Sequence, residues 1–465
     1  MKWASFENMK LLDVIILAAG HGKRMRSTLP KVLHKLAGKP LLQYIVETVQ
    51  GLQPHEVYVV YGNGGGQVPK YLSHLAVNWV KQTELLGTGH AVAQAIPEIK
   101  QDDNHILILL GDTPLVNLAT LQKLINATEA HQIGLITLTT QQPFGLGRIL
   151  RNQEGKVIQI VEEKDANIEQ RKIQEVNSGI FYVPIKLLKH WLPKIKKTNA
   201  QSEYYLTDII TMAVDEKIEI VTVSSNIDGE MQGVNDRIQL AKLERYFQHQ
   251  AAEKLMLAGV TLRDPNRFDL RGQLTVEKDV IIDVDVILEG ENTIGANSLV
   301  GPYTVLKDVK IGRNVEIKPN CIIEGVVIGD DCIIGPFAHI RPGSILKKNV
   351  HIGNFVEVKK SQIEQKTKIN HLSYIGDANI GKNVNIGAGT ITCNYDGAVK
   401  YQTQIEDDVF VGSNTALIAP IRIKKGATIG AGSTLSRDVP AGKLTLNRAE
   451  TKTVSNWKRP RKKEI

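Results

Sequence analysis

The sequence predicts an α/β domain with a mostly parallel sheet, followed by a parallel β-helix built from six-residue repeats. Two patterns predict this order. Residues 11–235 alternate short apolar strands with amphipathic helices, which is typical of a parallel sheet covered by helices on both faces. From about residue 259, pairs of an aliphatic residue and a glycine recur at steps near six, which favours a coil of short strands.

A helical period of apolar residues separates the two regions. It includes Ile238, Leu243 and Leu255 and predicts a helix that links the domains. We therefore expect a first domain over residues 1–235, a linker helix over 236–258, and a second domain over 259–465 that ends in a basic tail.

Three strands are expected to form the centre of the first domain. Their apolar runs lie at residues 12–17, 57–61 and 106–110. In open parallel sheets, ligands bind beyond the carboxyl ends of the strands. The glycine loop at 20–22 and the acid Asp112 both follow predicted strand ends, so we expect them to share a site.

The second domain contains nine pairs of an aliphatic residue and a glycine. Each aliphatic side chain would point inward and stack on its equivalent in the next coil, and Gly, Asn and Asp accept the positive φ that corners often need. Departures from six-residue steps predict insertions at 366–379 and 390–408. A β-sandwich with coincidental glycines is the alternative, which nine pairs at this spacing disfavour. The pairs are Ile294-Gly295, Ile311-Gly312, Ile328-Gly329, Ile334-Gly335, Ile352-Gly353, Ile380-Gly381, Ile386-Gly387, Val411-Gly412 and Ile429-Gly430.

The bulk composition indicates a location and excludes some partners. The formal net charge is +8, and much of the surplus lies in the tail at 457–463; such a tail serves either an anionic ligand or solubility. The other basic residues are spread out, so we expect no nucleic-acid partner. Three cysteines lack metal-ligand spacing, no apolar run suits a membrane span, and residues 1–10 lack the apolar core of a signal peptide. These features predict a cytoplasmic protein.

A glycine-rich loop follows the first strand. The segment LAAGHGKRM, residues 17–25, precedes Leu29, Pro30 and Lys31. Glycines allow backbone N–H groups to approach phosphates, and Arg24 and Lys31 supply positive charge. In the combination LAAGxGxRMxSxxPKxL, the loop resembles the signature of the sugar-1-phosphate nucleotidyltransferases.

This resemblance implies uridylyl transfer from UTP that uses Mg²⁺ and no protein nucleophile. It implies that Arg24 and Lys31 stabilise phosphate charge during in-line attack, and that Asp112 and Asn235 bind Mg²⁺, which prefers oxygen ligands. The residues that it assigns to UTP or to the sugar nucleotide are Leu17, Ala18, Ala19, Gly20, Lys31, Gln82, Gly87, Thr88, Gly147, Glu162, Asn177, Tyr205 and Asn235. Among them, Gln82, Gly87 and Thr88 would read the base, and Gly147, Glu162, Asn177 and Tyr205 would bind the sugar.

The predicted β-helix also carries polar residues that a repeat scaffold does not need. They lie in RPG at 341–343, NFVEVKK at 354–360, HLSY at 371–374 and NIGAGTITCNYDG at 385–397. Together with the first loop, they resemble the bacterial family that joins N-acetylglucosamine-1-phosphate uridyltransferase to glucosamine-1-phosphate N-acetyltransferase. The resemblance covers nearly the whole chain. It implies a Rossmann-like nucleotidyltransferase domain followed by a left-handed parallel β-helix of hexapeptide repeats.

The same resemblance implies the order of two reactions on small-molecule substrates. Acetyl-CoA would acetylate glucosamine 1-phosphate in the β-helix, and the product would then react with UTP in the first domain. His371 would be the general base on the amine, since imidazole titrates in the right range, and Glu357 would orient it. The acceptor would be bound by Arg341, Lys359, Tyr374, Asn385 and Lys400, and acetyl-CoA by Ala388, Asn394, Tyr395, Ser413, Ala431 and Arg448. A homotrimer would form through the β-helix.

Three positions depart from the family pattern. Lys23 stands where threonine is usual, Leu85 lies near an expected second glutamine, and Leu110 stands where tyrosine is frequent. These departures concern the contacts to uracil and phosphate rather than the class of reaction.

Several of these residues also have structural interpretations when they are taken singly. Asp112 could cap a helix, Lys31 could be a solvated surface lysine, and Asn177 could form a turn. Their joint order along one domain favours a site. A nucleotidyltransferase whose β-helix only oligomerises is the nearest alternative function, but it needs no His371. A silent scaffold or sensor is the other, but it needs no metal ligand such as Asn235.

Overall fold

The computed structural model describes residues 12–20, 22–62, 66–225, 227, 229–448 and 450–459. It divides into two compact units, one up to Tyr246 and the other from Phe247. The division falls within the helix Arg237–Leu257, which occupies the segment predicted as a linker. The domain limits at 235 and 258 stay predictions. The N-terminal extension and most of the basic tail, from residue 460, lie outside the described residues.

The first unit alternates strands and helices. Its strands are β1 Leu12–Ala18, β2 Lys35–Leu36, β3 Lys39–Pro40, β4 Glu56–Tyr61, β5 Asn78–Lys81, β6 His105–Leu110, β7 Ile133–Thr139, β8 Arg148–Arg151, β9 Val157–Val161, β10 Glu175–Pro184 and β11 Ile220–Ser224. Its helices are α1 Leu41–Gln50, α2 Gln67–Tyr71, α3 Thr88–Ala95, α4 Leu118–Ala127, α5 Ile168–Arg171, α6 Ile185–Trp191 and α7 Asp208–Asp215, and α8 is Arg237–Leu257. Short 3₁₀ turns lie at Lys23–Met25, Lys31–Leu33, Ile96–Glu98 and Leu192–Lys194.

The large sheet of this unit is mostly parallel, as predicted. Its order is β11-β7-β10-β6-β1-β4-β5, with β10 antiparallel to β6 and β7. Successive residues of β1 face opposite sides, so that Ile15 joins one apolar cluster while Val14 and Ile16 join the other. Helices cover both faces because both faces are apolar. The hairpin of β8 and β9 attaches to the sheet through β10.

The second unit is a parallel β-helix, as predicted. Its strands form two long parallel ladders in which each strand pairs with its equivalent in the next coil. They are β12 Thr261–Leu262, β13 Phe268–Val276, β14 Ile281–Ile282, β15 Val286–Ile294, β16 Leu299–Val300, β17 Val305–Lys307, β18 Lys310–Ile311, β19 Glu316–Ile317, β20 Ile322–Glu324, β21 Val327–Ile328, β22 Ile333–Ile334, β23 His339–Ile340, β24 Ile345–Leu346, β25 His351–Asn354, β26 Glu357–Lys359, β27 Gln362–Ile363, β28 Lys368–His371, β29 Tyr374–Gly376, β30 Ala378–Ile380, β31 Asn385–Ile386, β32 Ile391–Cys393, β33 Thr403–Ile405, β34 Phe410–Val411, β35 Ala416–Ile418, β36 Ile421–Ile423, β37 Thr428–Ile429, β38 Thr434–Leu435 and β39 Leu444–Thr445, with a 3₁₀ turn at Pro265–Arg267.

Columns of aliphatic side chains fill the interior of the coils. In one column, each residue pairs in register with the next, and all are buried, which removes apolar surface from water along the whole coil. The column consists of Ile294, Ile311, Ile328, Leu346, Ile363, Ile380, Ile405 and Ile423.

The corners of the coils contain residues at positive φ, as expected. One corner carries mainly residues that tolerate this conformation, among them Asn297, Asn314, Asp331, Asn349, Asn383 and Asp408. A second corner carries large side chains at φ between 47° and 57°, where bulky residues are strained. These four exposed residues, here called the apolar corner, are Tyr303, Phe337, Phe355 and Leu372. The rings of Phe337 and Phe355 stack with centroids 5.2 Å apart.

The insertion predicted at 366–379 is wrong. His351 pairs with Lys368, and Lys368 pairs with Asn385, 17 residues apart each time, so this segment completes an ordinary coil. Asn370 stands where the preceding coil has Gly353, and a search for aliphatic-glycine pairs therefore misses it. The insertion at 390–408 is confirmed, because Asn385 pairs with Phe410, 25 residues further on.

Within the part of the chain that the structure describes, no helix combines the length and the apolar character that crossing a bilayer requires.

Candidate active sites

The first candidate site lies at the carboxyl edge of the sheet in the first unit. Strands β1 and β6 are parallel neighbours with Leu17 opposite Leu110. The N–H of Gly111 donates to the carbonyl of Leu17 at 2.8 Å. The glycine loop after β1 and Asp112 after β6 therefore start from the same edge, as expected.

Lys31 brings the two predicted metal ligands together. Its ammonium donates to Oδ2 of Asp112 in a very short contact and to Oδ1 of Asn235 at 3.1 Å. The side chains of Lys31 and Asp112 are only 11% and 17% exposed. The N–H of Val234 also donates to the carbonyl of Asp112 at 2.9 Å. Two oxygens from distant parts of the chain thus converge on one cation.

The geometry decides two of the structural interpretations. Lys31 is largely buried and paired, so it is not a solvated lysine. Asp112 does not cap a helix, since Asn117 caps the next one, α4. Gly22 lies at φ 57°, and a Cβ added there would lie 2.8 Å from Cβ of Lys31. The loop must therefore have glycine at this position if Lys31 is to stay where it is. Arg24 is exposed in the turn Lys23–Met25.

The predicted base-reading residues lie around the start of α3. Gln82 is buried, and its amide nitrogen donates to Nδ1 of His90 at 2.9 Å and to the carbonyl of Gly87 at 3.3 Å. Oγ1 of Thr88 accepts from the N–H of Leu206 at 3.0 Å. These contacts fix the loop between β5 and α3. His90, which the sequence reasoning missed, holds the side chain of Gln82.

Three residues predicted to bind the sugar lie together next to the hairpin of β8 and β9. A Cβ added to Gly147 would lie 3.5 Å from both carboxylate oxygens of Glu162. The N–H of Asn177 donates to the carbonyl of Gly147 at 2.9 Å. Oδ1 of Asn177 also accepts from the N–H of Gly179 at 2.9 Å, so the turn that we considered as an alternative forms as well.

Glu162 is a buried carboxyl among other acids. Burial raises the pKa of Glu162, a hydrogen bond from Oγ1 of Thr207 at 3.1 Å lowers it, and the nearby carboxylates of Asp165 and Asp208 raise it further. A carboxyl in this environment gains from hydroxyl donors, which a sugar supplies. Burial also raises the pKa of Tyr205 to about 12, so its hydroxyl stays protonated at neutral pH.

The second candidate site lies in the β-helix, where the chain turns the apolar corner between β28 and β29. His371 ends β28, and Tyr374 begins β29. Nδ1 of His371 lies 2.8 Å from Oδ1 of Asn354, its register partner one coil earlier. Because an amide oxygen can only accept, Nδ1 carries the proton and Nε2 is the basic nitrogen. A general base needs such a free ring nitrogen.

Glu357 does not orient His371, contrary to expectation. Oε1 of Glu357 accepts from Nη1 of Arg341 at 2.9 Å. The physical reason is register: Asn354 pairs with His371 on one face of the coil, whereas Glu357 pairs with Tyr374 on the next.

An acid that the sequence reasoning missed links two predicted substrate residues. Oδ2 of Asp377 accepts from Nδ2 of Asn394 at 2.5 Å and lies 3.7 Å from Nζ of Lys359. The insertion begins here, and Tyr395 and Lys400 form an antiparallel bridge within it. Asn354 was also missed from the sequence; the 17-residue length of the coils is the signal that could have identified it as the partner of His371.

The structure does not bring every acceptor residue together within one chain. Asn385 pairs with Lys368, at the opposite end of β28 from His371. Four of the predicted acetyl-CoA residues, Ala388, Ser413, Ala431 and Arg448, instead form a column, whereas Asn394 and Tyr395 lie in the insertion. The N–H of Asn414 donates to the carbonyl of Ala388 at 2.7 Å, and Nε of Arg448 donates to the carbonyl of Ala431 at 3.2 Å. Ser413 lies between them, in the coil after Ala388.

Comparison with known families gives matches to both units. A model of MobA-like NTP transferase domains matches residues 14–201. A model of the GMPPB C-terminal domain matches residues 270–358, and one of the hexapeptide repeat of succinyl-transferase matches residues 402–437. Hexapeptide repeats of this kind form parallel β-helices, which agrees with the coil described above.

Full-length relatives match nearly the whole chain. Bifunctional protein GlmU of Coxiella burnetii is 56% identical over 97% of this chain and 100% of its own length. The proteins of the same name from Nitrosospira multiformis and Herminiimonas arsenicoxydans are 52% and 51% identical, over 98% and 97% of this chain and 99% of their own lengths. Because these relatives are more than 50% identical over nearly their whole length, the chain belongs to the family of bifunctional GlmU proteins.

Proposed function

We propose that this chain catalyses two consecutive reactions in the synthesis of UDP-N-acetylglucosamine. The β-helix unit transfers an acetyl group from acetyl-CoA to glucosamine 1-phosphate, and the first unit then transfers a uridylyl group from UTP to the product, with release of pyrophosphate. The observation that carries the proposal is the meeting of Lys31, Asp112 and Asn235 at one sheet edge. The orientation of His371 by Asn354 supports the second activity.

The first site fits Mg²⁺. A carboxylate oxygen of Asp112 and the amide oxygen of Asn235 already converge on one cation, the ammonium of Lys31. Among the described residues, no group of three or more His, Cys, Asp or Glu side chains could hold a metal, so phosphate oxygens and water would complete the ligands, as Mg²⁺ prefers. Bound there, Mg²⁺ would neutralise charge on the phosphates.

The protein's part in uridylyl transfer is to position the substrates and stabilise charge. An oxygen of the sugar phosphate attacks the α-phosphorus of UTP, and the bond from that phosphorus to the pyrophosphate oxygen breaks. Lys31 and the exposed Arg24 stabilise the negative charge that builds up, and no side chain has to form a covalent bond. Glu162 and Asn177 hold the sugar beside the backbone of Gly147.

Acetyl transfer requires a base and a pocket for an anionic sugar. As the amine attacks the thioester carbonyl, Nε2 of His371 takes a proton from the attacking nitrogen. The carbon–sulfur bond then breaks to leave the amide, and the CoA thiolate receives the proton back from His371. Arg341 and Lys359 supply positive charge for the phosphate. The column from Ala388 to Arg448 offers a surface of small residues along which acetyl-CoA can lie, and Asn394 and Tyr395 of the insertion would position the substrate or the acetyl group.

The functional form is a homotrimer that assembles through the β-helix. The apolar corner is exposed and strained in the single chain, and its members Phe337, Phe355 and Leu372 follow one another on successive coils. An exposed apolar patch of this kind marks an interaction surface. His371 immediately precedes Leu372 of this corner. Asn385, which lies at the opposite end of the strand pair from His371, would then serve the site of a neighbouring chain. The free thiols of Cys321, Cys332 and Cys393 suit a reducing compartment, which supports work in the cytoplasm.

A coupled assay tests both activities in the full chain. Glucosamine 1-phosphate, acetyl-CoA, UTP and Mg²⁺ should give UDP-N-acetylglucosamine and pyrophosphate, and omission of any one should stop the reaction. His371→Ala should abolish acetyl transfer and spare uridylyl transfer, whereas Asp112→Asn should do the reverse, so each variant is the folding control for the other. Acetyl transfer at the normal rate by H371A would favour a β-helix that only oligomerises. No pyrophosphate release from UTP and N-acetylglucosamine 1-phosphate would favour a silent scaffold.

A further inference from the structure

A buried cation of the first unit directly follows Gly147 of the proposed sugar site in the chain. Arg148 is 1% exposed, and its Nη2 lies 2.5 Å from Oε2 of Glu163. Its Nη1 donates to the carbonyl of Leu146, and Nη2 also lies 3.5 Å from the carbonyl of Arg171. Oε2 of Glu163 accepts from the N–H of Gly145 at 3.4 Å. One ion pair thus connects the loop before β8, the residue after Glu162, and the end of α5.

The two members of this ion pair are the chain neighbours of two proposed sugar contacts. Arg148 follows Gly147, and Glu163 follows Glu162. Arg148 begins β8, and successive residues of a strand point to opposite faces, so its side chain leaves the hairpin on the side away from Glu162, towards which a Cβ on Gly147 would point. Glu163 lies in the turn after Glu162 and pairs with Arg148 there. A shift of either charged side chain would move Gly147 relative to the carboxylate of Glu162, which lies 3.5 Å from the position of a Cβ on Gly147.

The burial of Arg148 makes its position depend on Glu163. Within the described residues, Nε of Arg148 has no hydrogen-bond partner, and Glu163 is the only carboxylate that forms an ion pair with it. A buried cation without its counter-ion is strongly unfavourable, so the surrounding loop would have to rearrange to admit water. The second ion pair of β8 differs in its arginine: Arg151 is 30% exposed, so water can replace Glu175 there, although the two acids, Glu163 and Glu175, are similarly exposed at 28% and 25%.

We propose that Arg148 and Glu163 are a positioning pair that sets the affinity of the uridyltransferase site for the sugar phosphate, and not for UTP. The proposal rests on the uridylyl transfer proposed above. The phosphates of UTP are assigned to the glycine loop, Lys31 and Asp112 on the edge of β1 and β6, whereas the ion pair touches the loop 143–147 and the hairpin. Loss of the pair should therefore affect one substrate selectively.

The test compares Glu163→Gln with Glu175→Gln in the full chain. E163Q should raise KM for N-acetylglucosamine 1-phosphate about tenfold to a hundredfold, the range expected when a binding group is displaced by about 1 Å. KM for UTP should stay within twofold, and so should the rate of acetyl transfer, which reports on the folding of the rest of the chain. E175Q should leave both KM values within twofold. Glu163→Asp, which keeps the charge, should restore part of the lost affinity.

Two further outcomes separate this inference from the proposed function. If the wild-type chain transfers uridylyl groups but E163Q keeps the normal sugar KM, or raises both KM values equally, the positioning role is wrong and the function stands. If the wild-type chain releases no pyrophosphate, the proposed function and this inference both fail. Arg148→Lys is the second variant should E163Q lose acetyl transfer as well. Lysine keeps the charge without the planar fork, so a normal sugar KM in R148K would also refute the role.

Discussion

Replacement of Asn354 by alanine tests whether the tautomer of His371 controls acetyl transfer. The neutral imidazole has two tautomers, and only the one protonated at Nδ1 leaves Nε2 as the base. In the structure, the 2.8 Å contact with Oδ1 of Asn354 selects this tautomer. Alanine removes that acceptor without adding bulk, and Asn354 lies within a regular strand at a register position, so the coil should be preserved.

The magnitude follows from the value of one hydrogen bond. A neutral side-chain hydrogen bond contributes about 1 kcal/mol net, with a spread of about half of that. Without it, the productive tautomer should lose about that much relative to the other, which lowers the ratio of the two tautomers about fivefold and kcat for acetyl transfer by up to about that factor. The effect should remain well below that of His371→Ala, since the imidazole is still present.

The measurement is the steady-state rate of thiol release from acetyl-CoA with glucosamine 1-phosphate in the full chain. Uridylyl transfer in the same preparation should not change. Asn379→Ala is the matched control, because Asn379 is an exposed asparagine on a strand of the same β-helix. An N354A enzyme with normal kcat, or an N379A enzyme with the same loss, would show that the contact with Asn354 does not set the base.

Three other outcomes are expected. Because burial raises the pKa of Glu162, the folded chain binds the proton of this carboxyl more tightly than the unfolded chain. The stability of the fold therefore falls as pH rises from the ordinary carboxyl range through the raised pKa. Glu162→Gln should stabilise the first unit by about 1 kcal/mol at neutral pH in thermal unfolding, while sugar binding weakens. Addition of EDTA should stop uridylyl transfer and spare acetyl transfer, and equal sensitivity of both would contradict the assigned metal site. The double variant Phe337→Asn and Phe355→Asn should relieve strain at positive φ, yet dissociate the proposed trimer in sedimentation and lose acetyl transfer. A trimer that persists in this variant would mean that another surface holds it.

The β-helix was predictable because its signal has a direct physical cause. A Cβ on Gly353 would collide with the backbone of Asn370 in the next coil, so glycine after an aliphatic residue reports close stacking of coils. The same signal fails where another residue takes the glycine position. Asn370 takes the glycine position in its coil, so a search for aliphatic-glycine pairs misses this coil and an insertion is inferred in its place.

Contacts between coils were harder to predict than the coils themselves. The partner of His371 is 17 residues earlier, and choosing Asn354 over Glu357 requires the register to be known within three residues. Likewise, Phe337 and Phe355 look like core residues in a sequence, since aromatic side chains are usually buried. Only the left-handed backbone at their positions places them outside.

In the first unit, the order of motifs was enough to predict the meeting of distant residues. Lys31, Asp112 and Asn235 were each expected at the phosphate end of the sheet, and Lys31 contacts both of the others. The ion pair of Arg148 and Glu163 was not predictable, because charged residues on a hairpin are exposed in most proteins. The burial of Arg148, which the sequence does not show, makes this pair different from that of Arg151.

The regular pairing of coils makes the β-helix a molecular ruler. Each coil adds one strand spacing of about 4.8 Å along the axis, whether it contains 17 residues, as between His351 and Lys368, or 25, as between Asn385 and Phe410. Extra residues extend sideways and leave the axial position of everything that follows unchanged. A surplus of chain can therefore become a substrate loop without disturbing the coils on either side, and whole coils can be gained or lost before β23 without altering the relative positions of Arg341, Lys359 and His371.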